Sequence, residues 1–271
     1  MGAGQPLAVI AGLNVLENLD LALKVGAHLK AATAELGLPF VFKASFDKAN
    51  RSSIKSYRGP GLKDGLVMLA EVKRQLDVPI ATDIHEIDQA EPVAAVADIV
   101  QIPAFLCRQT DLVNAAAIAT AAEGGWLHVK KAQFLAPWDC KNIISKSREA
   151  APDLQIVLCE RGSSFGYNNL VVDMLAIGEM QKLGVPVTID ATHAVQLPGA
   201  DPRTGGQSAG GRREGVPIIA KAAVAAGADG VFLEFHPEPD KALCDAPSCL
   251  ALDESAGLLK TLKALHQAIR A

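Results

Sequence analysis

The segment from Ile99 to Ala132 reads IVQIPAFLCRQTDLVNAAAIATAAEGGWLHVKKA and contains one complete strand–helix–strand pattern. Its two ends, Ile99–Ala104 and Trp126–Ala132, are short apolar runs of the kind found in buried strands. The stretch between them, Asp111–Glu123, is rich in alanine and long enough for a helix. Strands that alternate with helices at this spacing predict βαβ units, and therefore a parallel sheet covered by helices.

The same alternation extends along the whole chain. Eight runs are predicted to be strands: Leu7–Asn14, Phe40–Phe46, Pro79–His85, Ile99–Ala104, Trp126–Ala132, Gln155–Gly162, Pro186–His193 and Gly230–Pro237. Helices are predicted at Leu19–Leu36, Leu62–Leu76, Asp111–Glu123, Leu170–Leu183 and Asp253–Arg270. Eight such units in 271 residues favour a single-domain (β/α)8 TIM barrel, which typically takes about 250 residues. A doubly wound open sheet is the alternative, but no glycine-rich phosphate-binding motif follows the first strand.

The composition excludes several classes of protein. The net charge is −4, which does not suit a general nucleic-acid binder. No apolar run reaches the roughly 18 residues of a membrane span, and the first residues carry no pattern of an export signal. The five scattered cysteines are typical of free thiols in a reducing compartment. We therefore expect a cytoplasmic protein that binds neither nucleic acid nor membrane.

Polar side chains at the predicted strand ends are the candidates for function, because active sites of barrels lie at the C-terminal ends of the strands. The cations found there are Lys43, Lys48, Arg51, Lys130 and Arg161. Ordinary solvation of strand ends explains scattered polar residues, but it does not explain cations that recur. Five cations in one mouth would repel each other unless anions filled it. The pattern predicts an anionic, phosphorylated ligand.

A second group of polar residues raises the question of a metal ion. His193, Glu234 and Asp245 follow neighbouring predicted strands and resemble three ligands of a divalent-metal site. The alternative is a hydrogen-bonded polar cluster. A fourth ligand from the first strand would have to be Asn14, and an amide is a poor ligand for a transition metal.

One long irregular stretch, Leu197–Gly215, is rich in glycine, proline and arginine. Loops of this length in compact domains are usually functional. Because Arg203, Arg212 and Arg213 lie within it, we expect a mobile lid that closes over bound anions.

Six segments resemble motifs of the 3-deoxy-D-manno-octulosonate 8-phosphate synthase family, in the order in which they occur along the chain. They are FKASFDKANRSS (Phe42–Ser53), QIPAFLCRQTDL (Gln101–Leu112), VKKAQFLAPWDCKN (Val129–Asn142), ERGSSFGYNNLVVDM (Glu160–Met174), DATHAVQLPG (Asp190–Gly199) and FHPEPDKALCDAPS (Phe235–Ser248). The resemblance implies a homotetrameric barrel enzyme. Its reaction would join phosphoenolpyruvate to D-arabinose 5-phosphate, giving inorganic phosphate and an eight-carbon sugar acid phosphate for lipopolysaccharide.

The resemblance also implies which residues hold phosphoenolpyruvate. Lys130 and Arg161 would bind it, and Lys48 would lie between the two substrates. The pocket would also be lined by Lys43, Gln101 and Phe105.

The sugar phosphate is expected in a second half of the pocket. It would be held by Asn50, Arg51 and Ser52, with Asp83 at the sugar hydroxyls and Arg108 reaching in from a neighbouring subunit. The related 3-deoxy-D-arabino-heptulosonate 7-phosphate synthases carry a Lys-Pro-Arg-Thr type segment where this chain has KANRSS. A sugar-phosphate-binding barrel without activity is a further alternative, but it would be expected to have lost some of the residues that bind phosphoenolpyruvate.

Proton handling falls to Lys48 and His193 in this interpretation. Members of the family with a Cys at the position of Asn14 hold a divalent ion together with the His, Glu and Asp, whereas other members carry Asn there. With Asn14 present, the resemblance implies a metal-independent enzyme without a cofactor. Glu234 and Asp245 would then remain beside His193 as a polar, proton-handling cluster.

Overall fold

The computed structural model describes residues 1–2, 4–201, 205 and 209–270. Eight parallel strands form a closed barrel, in which each strand pairs with the next and the last pairs with the first. The strands are β1 (Ala8–Val15), β2 (Phe40–Ser45), β3 (Ile80–Asp83), β4 (Ile99–Ile102), β5 (Trp126–Lys130), β6 (Gln155–Glu160), β7 (Val187–Asp190) and β8 (Gly230–His236). The predicted (β/α)8 barrel is confirmed.

Helices follow the strands and cover the outside of the barrel. They are α1 (Leu19–Glu35), α2 (Leu62–Leu76), α3 (Ala90–Ala94), α4 (Thr110–Ala122), α5 (Lys141–Ala150), α6 (Leu175–Gln181), α7 (Val216–Ala225) and α8 (Ser255–Ala268). The first helix begins after Asn18, whose side-chain oxygen accepts a hydrogen bond from the Leu21 amide at 2.8 Å, as expected of a helix cap. In the described part of the chain, every helix is too short or too polar to cross a bilayer.

The alternation of side chains along the strands separates two cores. Along β8, Val231 and Leu233 belong to the main core between strands and helices, whereas Phe232 lies in a smaller cluster inside the barrel. Successive strand residues point to opposite faces, so the next interior position above Phe232 is Glu234. The upper interior of the barrel is polar and buried: its residues include Lys43, Gln101, His128, Lys130, Asp190 and Glu234.

Most predicted limits are within two residues of those in the structure, but two elements differ by three or more. The seventh strand does not run to His193, because it ends at Asp190 and a single helical turn, Ala191–Ala194, follows. The Asp190 carboxylate accepts a hydrogen bond from the His193 amide at 2.9 Å and so starts the turn. The helix predicted from Leu170 begins only at Leu175, because Leu170–Val171 pairs antiparallel with Ser163–Ser164.

Three helices were not predicted: α3, α5 and α7. The segment predicted to be a lid is closed at its base, where Gln196–Leu197 pairs antiparallel with Gly210–Gly211. Residues 202–204 and 206–208, Arg203 among them, lie outside the described residues. Arg213 contacts Asp240 and the Ala246 carbonyl, each at 2.7 Å, and neither Arg212 nor Arg213 lines the pocket described next.

Candidate active site

A cavity of about 430 Å³ opens at the C-terminal ends of the strands. Predicted site residues that line it are Lys43, Lys48, Asn50, Arg51, Ser52, Asp83, Gln101, Phe105, Lys130, Arg161, His193 and Asp245. The five cations therefore do share one mouth. Asn14 and Glu234 lie directly behind the lining, in contact with Asp245 and Lys43 respectively. Arg108 is exposed on the same chain and does not line the cavity.

A glycine at the first strand places two of these side chains. An added Cβ at Gly12 would lie 2.1 Å from the carbonyl oxygen of Lys43, so only glycine allows β1 and β2 to approach this closely. The pairing of the two strands shifts register between Gly12 and Val15. Such a bulge changes the direction of the side chains beside it, and Asn14 lies within it.

Two of the five cations are already paired with carboxylates. Lys43 Nζ lies 2.7 Å from Glu234 Oε1, and Lys130 donates a hydrogen bond to the Asp190 carboxylate. Lys130 Nζ also lies 3.6 Å from the centroid of the Phe232 ring, within the range of a cation–π contact. The argument that all five cations need external anions is therefore wrong for these two. Their charges are balanced inside the protein.

The remaining cations have unused capacity for anions. Among the described residues, Lys48 has no carboxylate within ion-pair distance. Arg161 donates to Gln196 Oε1 at 3.1 Å through Nη2, while its buried Nη1 has no partner within the described chain. Arg51 donates through Nη1 to Cys244 Sγ at 2.5 Å, and its Nε is likewise buried and unpaired among those residues. Buried donors of this kind are stabilised when a ligand supplies acceptors.

The lysines of the pocket differ in their pKa values. Burial lowers the pKa of Lys43 below its ordinary value, even though Glu234 raises it. Burial acts in the same direction on the pKa of Lys48, but the carboxylates of Asp83 and Glu234 outweigh it and raise that pKa above its ordinary value. Lys48 is therefore fully charged at neutral pH.

The second cluster converges on the side chain of Asn14. Its amide Nδ2 lies 2.5 Å from Glu234 Oε2, 3.0 Å from Asp245 Oδ2 and 3.5 Å from His193 Nε2. Asp245 has a φ of 51°, in the left-handed region that residues other than glycine rarely adopt. Residues held in such conformations cluster at functional sites.

Electrostatic coupling decides the charges in this cluster. Burial lowers the pKa of His193, but Asp190, whose Oδ2 lies 2.7 Å from His193 Nδ1, and Glu234 outweigh it and raise that pKa. Burial raises the pKa of Glu234, but His193 and Lys43 bring it down to about 2. The cluster therefore favours a protonated imidazole among ionised carboxylates.

These residues do not fit a transition-metal ion. An ion bound by His193, Glu234 and Asp245 would have to sit where their polar atoms meet, and that point is taken by the NH₂ group of Asn14. The hydrogens of this group already satisfy the carboxylates, and they would face any cation placed there. Within the described ranges, no group of three or more His, Cys, Asp or Glu side chains is arranged to hold an ion.

Several residues that support the site were missed from the sequence. Two of them, Ser45 and His85, contact the predicted residue Asp83: the Ser45 hydroxyl donates a hydrogen bond to its carboxylate, and His85 Nε2 lies 3.1 Å from it. Cys244 and Gln196 contact Arg51 and Arg161, as described above. Cys244 precedes Asp245, and Gln196 follows His193 by three residues, so both lie in recognised motifs, but their residue types alone indicate no role.

The fold and the pocket together define a class of protein. A closed barrel with a deep, cationic pocket at the C-terminal strand ends is typical of a TIM-barrel enzyme that acts on small anionic substrates. The sequence model described as the DAHP synthetase I family matches residues 1–271. The chain therefore belongs to this family.

Curated relatives identify the branch of the family that the chain resembles. A 2-dehydro-3-deoxyphosphooctonate aldolase of Hahella chejuensis is 54% identical over 266 residues, which are 98% of this chain and 92% of the relative. Proteins with the same name from Pseudomonas putida strain GB-1 and Citrifermentans bemidjiense are 53% and 52% identical, each over 98% of this chain and over 92% and 94% of their own lengths. This name is a synonym of the synthase family that the six motifs resembled, so that resemblance is confirmed.

Proposed function

We propose that this protein condenses phosphoenolpyruvate with D-arabinose 5-phosphate and water, releasing inorganic phosphate and 3-deoxy-D-manno-octulosonate 8-phosphate for lipopolysaccharide synthesis. The name shared by its relatives supports the reaction. The observation that carries it is the set of cationic groups of Lys48, Arg51 and Arg161 in one pocket, none of which is paired with a carboxylate among the described residues. Two phosphates and one carboxylate are the anions that such groups bind well.

The phosphoenolpyruvate half of the pocket is assigned to Lys130 and Arg161, lined further by Lys43, Gln101 and Phe105. The buried Nη1 of Arg161 supports this assignment: it has no partner in the part of the chain that the structure describes, and such a donor is unfavourable until an anion reaches it. Lys130 and Lys43 are paired with carboxylates, so they would add little net positive charge to the pocket. Their role would be to orient the substrate through hydrogen bonds.

The sugar half is assigned to Asn50, Arg51, Ser52 and Asp83. We propose that Arg108 binds the phosphate of the sugar substrate in the pocket of a neighbouring subunit of a homotetramer. Its side chain is exposed and does not line the pocket of its own chain, which supports that role. A cytoplasmic location is supported by the five cysteines, all of which are free in the structure.

The chemistry needs positioning and proton transfer. The enol C3 carbon of phosphoenolpyruvate must approach the aldehyde carbon of the sugar phosphate, and several fixed cations offset the repulsion between the two anions. Lys48, charged and placed between the half-sites, would donate a hydrogen bond to the aldehyde oxygen as the bond forms. Water then adds at C2 and inorganic phosphate leaves from that carbon. The proton that this water loses balances the one that the aldehyde oxygen gains, and the ionised Glu234 and Asp245 beside the protonated His193 would accept hydrogen bonds from the water.

We further propose that the reaction is metal-independent. The support is chemical: Asn14 supplies an amide and no anionic fourth ligand, and its NH₂ group fills the point where an ion bound by His193, Glu234 and Asp245 would sit. In this assignment Asn14 orients the Glu234 and Asp245 carboxylates toward the attacking water.

The test of the function is phosphate release from phosphoenolpyruvate with arabinose 5-phosphate, with erythrose 4-phosphate, and with no sugar. We expect a large preference for arabinose 5-phosphate and little release without sugar, because the segment Lys48–Ser53 resembles that of the arabinose 5-phosphate enzymes and not the Lys-Pro-Arg-Thr type segment. Comparable kcat/KM values for the two sugars would contradict the assignment of substrate.

A further inference from the structure

One buried histidine below the pocket has no part in the assignments above. His128 lies on β5 and is 1% exposed. Its ring is stacked on Phe232, with 6.1 Å between the ring centroids and 11° between the planes. Its Nδ1 lies 3.1 Å from Gln101 Oε1, and its Nε2 lies 2.9 Å from the hydroxyl oxygen of Thr188. The histidine thus joins a pocket residue on β4 to Thr188 on β7, which lies two strands beyond β5 round the barrel.

The imidazole is uncharged at neutral pH. Burial, together with the positive charge of Lys130, lowers the pKa of His128 to about 3. A neutral imidazole carries one proton, so one ring nitrogen donates and the other accepts. Two arrangements follow, and they differ in what Gln101 presents to the pocket.

In the first arrangement, Thr188 donates to Nε2 of His128, and Nδ1–H donates to Gln101 Oε1. The amide NH₂ of Gln101 then faces the pocket. In the second, Nε2–H donates to Thr188 and Nδ1 accepts from the amide, so the carbonyl oxygen of Gln101 faces the pocket. Anions drawn in by the neighbouring cations are bound by the first arrangement and repelled by the second.

Two contacts favour the first arrangement. The structure places Gln101 Oε1, an acceptor, 3.1 Å from Nδ1, so Nδ1 must carry the proton of the neutral ring, and Gln101 Nε2 has no hydrogen-bond partner among the described residues. Nε2 of the histidine is then unprotonated, so the Thr188 hydroxyl 2.9 Å away donates to it and not to the Leu158 carbonyl at 3.3 Å. The Gln101 donor is free for a ligand.

We propose that His128, held as the Nδ1–H tautomer by Thr188, is a positioning residue that turns the Gln101 amide NH₂ toward an anionic oxygen of the substrate. The identity of that substrate as phosphoenolpyruvate rests on the proposed function. The tautomer does not, because it is a property of the unliganded protein.

The first test is therefore made without substrate. Nitrogen-15 NMR of the histidine side chains distinguishes protonated from unprotonated ring nitrogens, and the signals missing from His128→Phe identify those of His128. We expect a protonated Nδ1 and an unprotonated Nε2 in the wild type. A protonated Nε2 overturns the proposal, whatever the enzyme's activity.

The second test separates positioning from general loss of structure. Thr188→Val removes the donor to Nε2, and we expect the KM for phosphoenolpyruvate to rise about tenfold, the loss of roughly one charge-assisted hydrogen bond, with kcat and the KM for the sugar little changed. Thr188→Ser retains the hydroxyl and should restore the wild-type KM. Thr120→Val is the matched control, because its hydroxyl on α4 is buried and has no partner within the described chain.

A double variant completes the argument. If Thr188 acts through Gln101, Thr188→Val should add little to the KM increase of Gln101→Leu. Full additivity of the two changes, or an equal rise in KM for Thr188→Ser, contradicts the positioning role. A wild-type enzyme that does not turn over the two proposed substrates would refute the proposed function instead, and the NMR result would still decide the tautomer.

Discussion

Lys130 and Arg161 show how two cations of one pocket differ in what holds them. The sequence presents both as residues that bind phosphoenolpyruvate and indicates no difference between them. In the structure, Lys130 is paired with the buried carboxylate of Asp190, whereas Arg161 contacts the neutral amide of Gln196. The ion pair joins two interior strand ends and could not be identified without the closed barrel.

This difference predicts two distinct outcomes of alanine substitution. Lys130→Ala should lose activity and also about 1–3 kcal/mol of stability, because the buried Asp190 carboxylate loses one of its charged partners and keeps His193. Arg161→Ala should lose comparable activity with a smaller fall in Tm. The measurements are kcat/KM and thermal unfolding of both variants. A Lys130→Ala protein as stable as the wild type would contradict the importance of the ion pair.

Asn14 supports a paired prediction about metals. The wild type should retain its activity after exhaustive treatment with EDTA or dipicolinate, because an amide replaces the ligand on which Zn²⁺ or Fe²⁺ would depend. Asn14→Cys should bind a transition ion through the new thiolate together with His193, Glu234 and Asp245. Metal content, measured by elemental analysis after dialysis, checks this independently of activity.

The control for this prediction is Asn14→Ser, which removes the amide without adding a thiolate and should bind no ion. The assignment is wrong if chelation abolishes wild-type activity and Mn²⁺ or Zn²⁺ restores it.

At the scale of elements, the close approach of β1 and β2 depends on Gly12. Gly12→Ala should destabilise the protein by about 1–3 kcal/mol or more, because the new methyl group would meet a backbone carbonyl that cannot move independently of the sheet. It should also lower activity, because the displaced strand ends carry Lys43 and Asn14.

A glycine with free space is the matched control. Gly178 lies in α6 with nothing within 4 Å of an added Cβ, so Gly178→Ala should be neutral or stabilise the helix by up to about 1 kcal/mol. Chemical denaturation of both variants measures the difference. Equal stability of the two would show that β1 and β2 can separate without loss.

The elements also show how far the sequence determines the fold. All eight barrel strands were predicted, because buried parallel strands are continuous apolar runs bounded by polar residues. The end of β7 was misplaced because the side chain of Asp190 starts a helical turn, and residue types alone do not show which carboxylate will cap a backbone amide. Helix α3 has five residues, too few for a periodic pattern.

For the site, the sequence identified the residues but not their pairings. The predicted cations share one pocket because strand ends converge in a barrel, which topology alone ensures. The supporting contacts of Cys244, Gln196 and His128 depend on the register of distant strands and loops. No spacing rule within the sequence encodes contacts of this kind.

At the scale of the whole molecule, the exposed position of Arg108 leads to a prediction about assembly. If Arg108 completes the sugar-phosphate site of a neighbouring subunit, Arg108→Ala and Arg161→Ala should each be defective as pure proteins, since every site lacks one guanidinium. In a mixed oligomer, an Arg108→Ala chain keeps its own Arg161 and can receive Arg108 from an Arg161→Ala neighbour. About a quarter of the sites should then be complete, because chains pair at random within a closed symmetric assembly.

Co-expression of the two variants with different tags, purification on both tags and a phosphate-release assay measure the recovery. The same mixture of separately folded, unexchanged proteins is the control and should stay inactive. Failure of the co-purified oligomer to exceed this control, or a monomeric mass in solution, would assign Arg108 to the surface of its own chain.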